Sequence, residues 1–200
     1  ADTFWSKRYQ FATYYATQVS LIVVGYLIIT SFTTTPVITF DGSFIRDSFA
    51  DVLKLFTIIV SLGVFLFSRE YLLQHKFFTG EFFIIGLFGV LGMFVMISAN
   101  NMITMFIGLE IMSLAMYAMI ALRKDYGQGL EAAIKYFVLG SLATGMLLYG
   151  FSMIYCATGS ITFPEMAKII AEGNVDKVVL SFGVVFVVIG LAFKLGAVPF

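Results

Sequence analysis

The chain has 200 residues, 60% of them hydrophobic and 12% charged, with a mean hydropathy of +0.98 and zero formal net charge. A soluble domain cannot hide that much apolar side chain, and its charged share is usually about twice as high, so lipid is the solvent that fits. The neutral balance has no basic patch to suggest nucleic acid, and a single cysteine and a single histidine exclude a CxxC or multi-histidine metal or redox centre.

Six apolar stretches are long enough, or nearly so, to cross a bilayer. They cover residues 12–32, 49–67, 82–99, 102–122, 132–157 and 178–200. The expected fold is therefore all-α: a polytopic transmembrane helical bundle, one membrane domain over residues 1–200. The first break holds Pro36 and the Asp41-Gly42 pair, and the second runs from Arg69 to Gly80. Asn100 and Asn101 make a tight turn between the third and fourth spans, and Arg123 to Gly127 separate the fourth from the fifth. Residues 158–177 form an outer loop. Within it Thr162, Pro164 and Glu165 have capping-box spacing and open a short amphipathic stretch over 163–172, closed by Gly173 and Asn174. That stretch is expected to lie along the membrane surface. Residue 1 is Ala rather than Met, and the chain stops at Phe200 inside an apolar run. Both ends are expected to be cuts in a longer protein.

Lysine and arginine counts orient the spans. Lys7, Arg8, Arg69, Lys76, Arg123 and Lys124 share one side, expected to be cytoplasmic; Arg46, Lys168 and Lys177 share the other. Cys156 lies in an apolar run and reads as a small hydrophobe, and His75 reads as a solvated loop residue.

Charges inside the spans carry the chemistry. Glu110 lies eight residues into the fourth span, roughly 12 Å deep, where a charge costs about 2.5–3.5 kcal/mol and must face protein or water or be protonated. Ser113 and Tyr117 follow at i+3 and i+7 on the same face. The stripe suits either a buried proton-handling network or a structural helix–helix hydrogen bond. Lys135, one turn after Glu131, reads either as a functional lysine or as one that snorkels in a surface ion pair. Lys54, three residues after Asp51, reads as snorkelling. Lys194 lies sixteen residues into the last span, and Gly196 and Pro199 follow it. Pro199 cannot donate to the helix ladder and disfavours helical geometry at Val198, so this helix is expected to be broken. A lysine beside a break at membrane depth marks an ion pathway; the alternative is a lysine anchored at a helix end. Gly86, Gly89 and Gly92, and the pair Ser141 and Gly145, are expected to let helices approach closely.

These residues carry a resemblance. The run GLEIMSL over 108–114 resembles the fifth transmembrane helix of antiporter-like membrane subunits. EAAIKYFVLGS over 131–141, with Tyr149, Gly150, Ser152 and Tyr155, is similar to the sixth, and GLAFKLGAVPF over 190–200 to the broken seventh. The family comprises subunits of the proton-translocating NADH–quinone oxidoreductase, complex I, with relatives in sodium/proton antiporters and membrane-bound hydrogenases. Leu109, where the L and M types typically carry Trp, favours the N type. The resemblance implies a fold of about fourteen helices, of which this chain holds about the second to the seventh. It implies that Glu110 pairs with Lys194, that Lys135 belongs to the same chain of charged groups, and that the three transfer protons. It further implies that this chain binds no cofactor, that flavin, iron–sulfur clusters and quinone sit in partner subunits, and that the chain works among other complex I membrane subunits in the bacterial inner membrane.

Overall fold

The computed structural model describes residues 10–75, 77–123, 127–173 and 175–197. Seven helices and one hairpin follow in order: α1 Gln10–Thr30, β1 Val37–Thr39, β2 Phe44–Arg46, α2 Ser48–Gln74, α3 Gly80–Ile97, α4 Met102–Ala121, α5 Gly127–Thr158, α6 Phe163–Glu172 and α7 Lys177–Lys194. Among the described residues, all helices except α6 are long and apolar enough to cross a membrane, six in all. The chain is a polytopic helical membrane bundle, as its composition requires.

The starts of α2, α4 and α7 are set by short polar side chains that satisfy otherwise unpaired backbone N–H groups. The Asp47 carboxylate accepts from the Ala50 N–H at 2.7 Å, Asn101 Oδ1 from Thr104 N–H at 2.7 Å, and Asp176 Oδ1 from Val178 and Val179. Helices α2 and α5 outrun their apolar stretches. Helix α2 continues through Arg69, whose guanidinium stands 5.3 Å from the centre of the Tyr14 ring. Long basic side chains can bury their stems and keep the helix going past the lipid boundary.

The Asp41-Gly42 pair makes a hairpin rather than a mere interruption. Phe40, Asp41 and Gly42 take φ of 52°, 51° and 81°, and Val37–Thr39 pairs antiparallel with Phe44–Arg46. The hairpin is stitched to the α3–α4 turn: Ile45 N–H donates to Ser98 O at 2.9 Å and Asn100 N–H to Ser43 O at 3.0 Å. Asn100 and Asn101 also meet the segment before α6, through Met102 N–H to Ile161 O and Phe163 N–H to Asn100 O. An extended backbone layer thus closes one end of the bundle, here termed the hairpin end.

Two packed clusters sit below it. Helices α1, α2 and α3 enclose Tyr14, Leu21, Ile58, Phe65, Phe83 and Val90, and α4, α5 and α6 enclose Met102, Leu109, Leu147, Phe151 and Met166. Small residues bring the helices together. A methyl group on Gly92 would lie 2.7 Å from Gly108 O, and one on Gly108 would lie 2.6 Å from Met96 N, so α3 and α4 touch backbone to backbone. Helices α5 and α7 do the same at Gly150, Gly183 and Gly190. The expected Ser141 and Gly145 pair takes no part: both are exposed, and a Cβ on Gly145 would meet nothing within 4 Å. The contact face of α5 is one residue round, at Gly140, Ala143, Leu147 and Gly150, which is a rotation of about 100°.

Helix α7 ends at Lys194, and Gly196 takes a left-handed φ of 68°. The expected break at Val198 and Pro199 lies outside the described residues, as do Phe200, Lys7, Arg8, Lys76, Lys124 and Asn174.

Candidate functional site

Glu110, Ser113 and Tyr117 line one face of α4, turned toward α5 and α7. The Nζ of Lys194, at the last residue of α7, lies 3.0 Å from Glu110 Oε1 and donates to Ser113 Oγ at 2.7 Å. Thr144 Oγ1 of α5 donates to the same Glu110 Oε1 at 2.8 Å. Three helices therefore meet at one ion pair, whose side chains are only 8% (Lys194) and 23% (Glu110) exposed. Ser113 donates its own hydrogen to Leu109 O at 2.8 Å, so it offers the lysine only a lone pair. The arrangement holds a carboxylate, an ammonium and two hydroxyls in contact within an apolar surround, a set of groups that can pass a proton.

Depth counted along each helix does not predict this contact. Glu110 is eight residues along α4, about 12 Å, and Lys194 seventeen along α7, about 25 Å. Part of the difference is met by the lysine itself, whose long side chain leans toward the N-terminus of its own helix and reaches Glu110.

Toward the Arg123 end the stripe continues at Tyr117. Its ring meets Tyr136 edge to face at 4.7 Å, and its hydroxyl occupies the notch left by Gly140, where a Cβ would collide with it. Lys135 is not brought to the pair. It bonds Glu131 one turn away on the same helix, and the two side chains are 70% and 64% exposed. Lys54 does not pair with Asp51 either: Asp51 is held instead by Arg46, with contacts of 3.0 and 3.2 Å. Thr144 is the member of the cluster that the sequence reading missed. No one-dimensional signal singles it out, because which face of α5 meets α4 and α7 is set by the packing.

A cavity of about 660 Å³ lies elsewhere. It opens at the hairpin end against Phe106, Phe151, Tyr155, Ser160 and Glu165. The capping box there is rearranged. Ser160, not the backbone N–H of Thr162, takes the glutamate, donating to Glu165 Oε2 at 2.7 Å. The Ser160 hydroxyl, with help from that of Thr162, holds the Glu165 carboxyl below the usual carboxylate range. Among the described residues no three His, Cys, Asp or Glu side chains gather as a metal site would require.

Residues 99–200, just over half the chain, match the family model described as NADH:quinone oxidoreductase/Mrp antiporter, TM. The chain belongs to this family of antiporter-like membrane subunits. The matched residues include Glu110, Ser113, Thr144 and Lys194. Among individual relatives, NADH-quinone oxidoreductase subunit N of Hydrogenovibrio crunogenus is 75% identical over all of this chain and 42% of its own length. The subunit N of Ruthia magnifica is 44% identical over all of this chain and 42% of its length. The chain thus spans about two fifths of the length of these relatives. Among solved structures, respiratory complex I from Thermus thermophilus with bound aureothin holds a similar chain. It is 28% identical with a TM-score of 0.76, over 96% of this chain and 40% of that one. An archaeal membrane-bound sulfane sulfur reductase matches at 22% identity and a TM-score of 0.77, over the same shares, which shows a shared fold.

Proposed function

We propose that this chain is part of the N-type proton-translocating subunit of NADH–quinone oxidoreductase, seated in the bacterial inner membrane among other complex I membrane subunits, and that Glu110 and Lys194 carry the proton transfer. The observation that carries the reading is the three-helix ion pair. A carboxylate next to a lysine keeps the proton on the amine, and parting the two in an apolar surround frees the amine to release it. Electron transfer from flavin through iron–sulfur clusters to quinone, in partner subunits, would supply the energy that parts them. Lys135 stands nine residues from Thr144, about 13 Å along α5. It exchanges protons with the pair through water or through groups of the surrounding assembly.

Lys194→Ala and Glu110→Gln, placed in the full-length subunit, are expected to lower proton pumping and coupled quinone reduction roughly tenfold or more with the complex assembled. Parent rates in either variant would sink the role. The family description also covers Mrp antiporters, which supports a second reading as a sodium/proton antiporter subunit; a membrane-bound hydrogenase is the related case. Purification of the gently extracted subunit separates them. Co-purifying flavin and iron–sulfur absorbance with donor-to-quinone electron transfer supports the first. A colourless assembly that exchanges sodium for protons in vesicles supports the second.

A further inference from the structure

We propose that Thr144 is a positioning residue for the Glu110–Lys194 pair, holding the carboxylate in place while the lysine comes and goes. The inference rests on the proton-transfer reading of that pair. Its first support is the shared oxygen: Glu110 Oε1 receives Thr144 Oγ1 at 2.8 Å and Lys194 Nζ at 3.0 Å. Its second is the behaviour of other threonines in this fold. Thr17, Thr30, Thr57 and Thr158 each donate to the carbonyl four residues earlier in their own helix, the usual outlet for a hydroxyl in an apolar surround. Thr144 turns its hydroxyl across to α4 instead.

The consequence concerns the parted state. Once Lys194 leaves, Glu110 is a partly buried carboxylate without its cation, and such a group is costly unless hydrogen-bonded. Thr144 keeps one charge-assisted bond on the same oxygen. Ser113 is already engaged, its hydroxyl donating to Leu109 O on its own helix. The two hydroxyls thus divide the work: Ser113 receives the lysine, and Thr144 restrains the carboxylate. Threonine suits the role because its branched side chain restricts χ1, whereas the glutamate side chain has several free torsions.

The test is proton pumping and quinone reduction by the assembled enzyme in vesicles, with the full-length subunit carrying Thr144→Val, Thr144→Ser, Glu110→Gln or Thr144→Val with Glu110→Gln. Valine keeps the shape and removes the donor. Its turnover is expected to fall about tenfold, the scale of one bond to a charged group, with the KM for quinone unchanged. Serine is expected to restore turnover to within about twofold of the parent. The double variant is expected to be no slower than Glu110→Gln alone, because Thr144 acts through that carboxylate. Parent turnover in Thr144→Val, a serine variant as impaired as valine, or an additive loss in the double variant would overturn the proposal. Parent turnover in Glu110→Gln would instead overturn the reading of the pair itself. Should Thr144→Val not assemble, Thr144→Ala carries the same expectation and the same serine rescue decides it.

Discussion

Among the described residues, the ion pairs Arg46–Asp51 and Glu110–Lys194 each join different elements of this bundle, and their chemistry differs. Arg46 grips Asp51 with Nε 3.0 Å from Oδ1 and Nη2 3.2 Å from Oδ2, while its Nη2 also donates to Ser31 O and Oγ. Asp51 further accepts from the Thr33 N–H and is 1% exposed. That pair ties the end of α1, strand β2 and the start of α2 together. Its cation is a guanidinium, which does not release a proton in proteins. Lys194 and Glu110 make a single contact between residues 84 apart in sequence, and both partners are flanked by hydroxyls. Their cation is an amine, which can release a proton. The same two charges thus make a lock where the donor is a fork with several partners, and, in the proposed reading, an exchangeable site where it is a single point charge.

Exchanging the cations breaks the contrast most directly. Lys194→Arg in the full-length subunit is expected to keep the charge and the assembly but lose proton pumping, on the order of a hundredfold, measured in vesicles. Pumping at the parent rate would mean the amine's proton is not the one transferred. At the other pair, Arg46→Met leaves Asp51 buried without its cation. The expected cost is about 3 kcal/mol of stability, toward the low end because Arg46 is 35% exposed. It should appear as less assembled complex and a lower unfolding temperature, with unchanged turnover per assembled unit. Reduced turnover at full stability would make Arg46 part of the transfer path.

A packing change tests whether the exchangeable pair depends on the α5–α7 seam. A side chain at Gly183 would press on Ile154 Cγ1 at 2.8 Å and Ile154 N at 3.0 Å. Gly183→Val is therefore expected to cost about 1–3 kcal/mol and to shift α7, lowering turnover at a site that Gly183 does not touch. The mildest effect belongs to Glu165, a carboxylate outside the spans. A carboxyl held low by folding contributes stability above its unfolded titration range, and the contribution disappears as pH falls through the folded value. The protection of the α6 amides, taken as exchange relative to the intrinsic rate at each pH, should therefore fall as the parent is acidified below the ordinary carboxylate range. Ser160→Ala should flatten that dependence.

Much of this was legible in the chain. Helix number and type followed from apolar runs of membrane length, because every backbone polar group in lipid must be satisfied within its own segment or a closed sheet. The prominence of Glu110 and Lys194 was legible too, since a charge within an apolar span needs a reason. Other features were open to misreading. The Asp41-Gly42 pair carries a hairpin signal but reads equally as an interruption. The spacing of Ser141 and Gly145 is as good a packing motif as that of Gly140 and Ala143, and periodicity alone cannot say which side of α5 meets a neighbour. Thr144 shows nothing in one dimension that separates it from Thr17 or Thr57, whose hydroxyls turn back on their own helix.

The sequence by itself determined the solvent, the helices and the two charged residues that stand out in them, because those follow from local polarity and length. Only the tertiary structure decided that Lys194 meets Glu110 despite their unequal depths, that Thr144 and Ser113 flank the pair, and that Lys135 faces outward with Glu131. Those outcomes depend on how far one helix slides along another, which close glycine contacts such as Gly150 with Gly183 set, and no single segment contains that information.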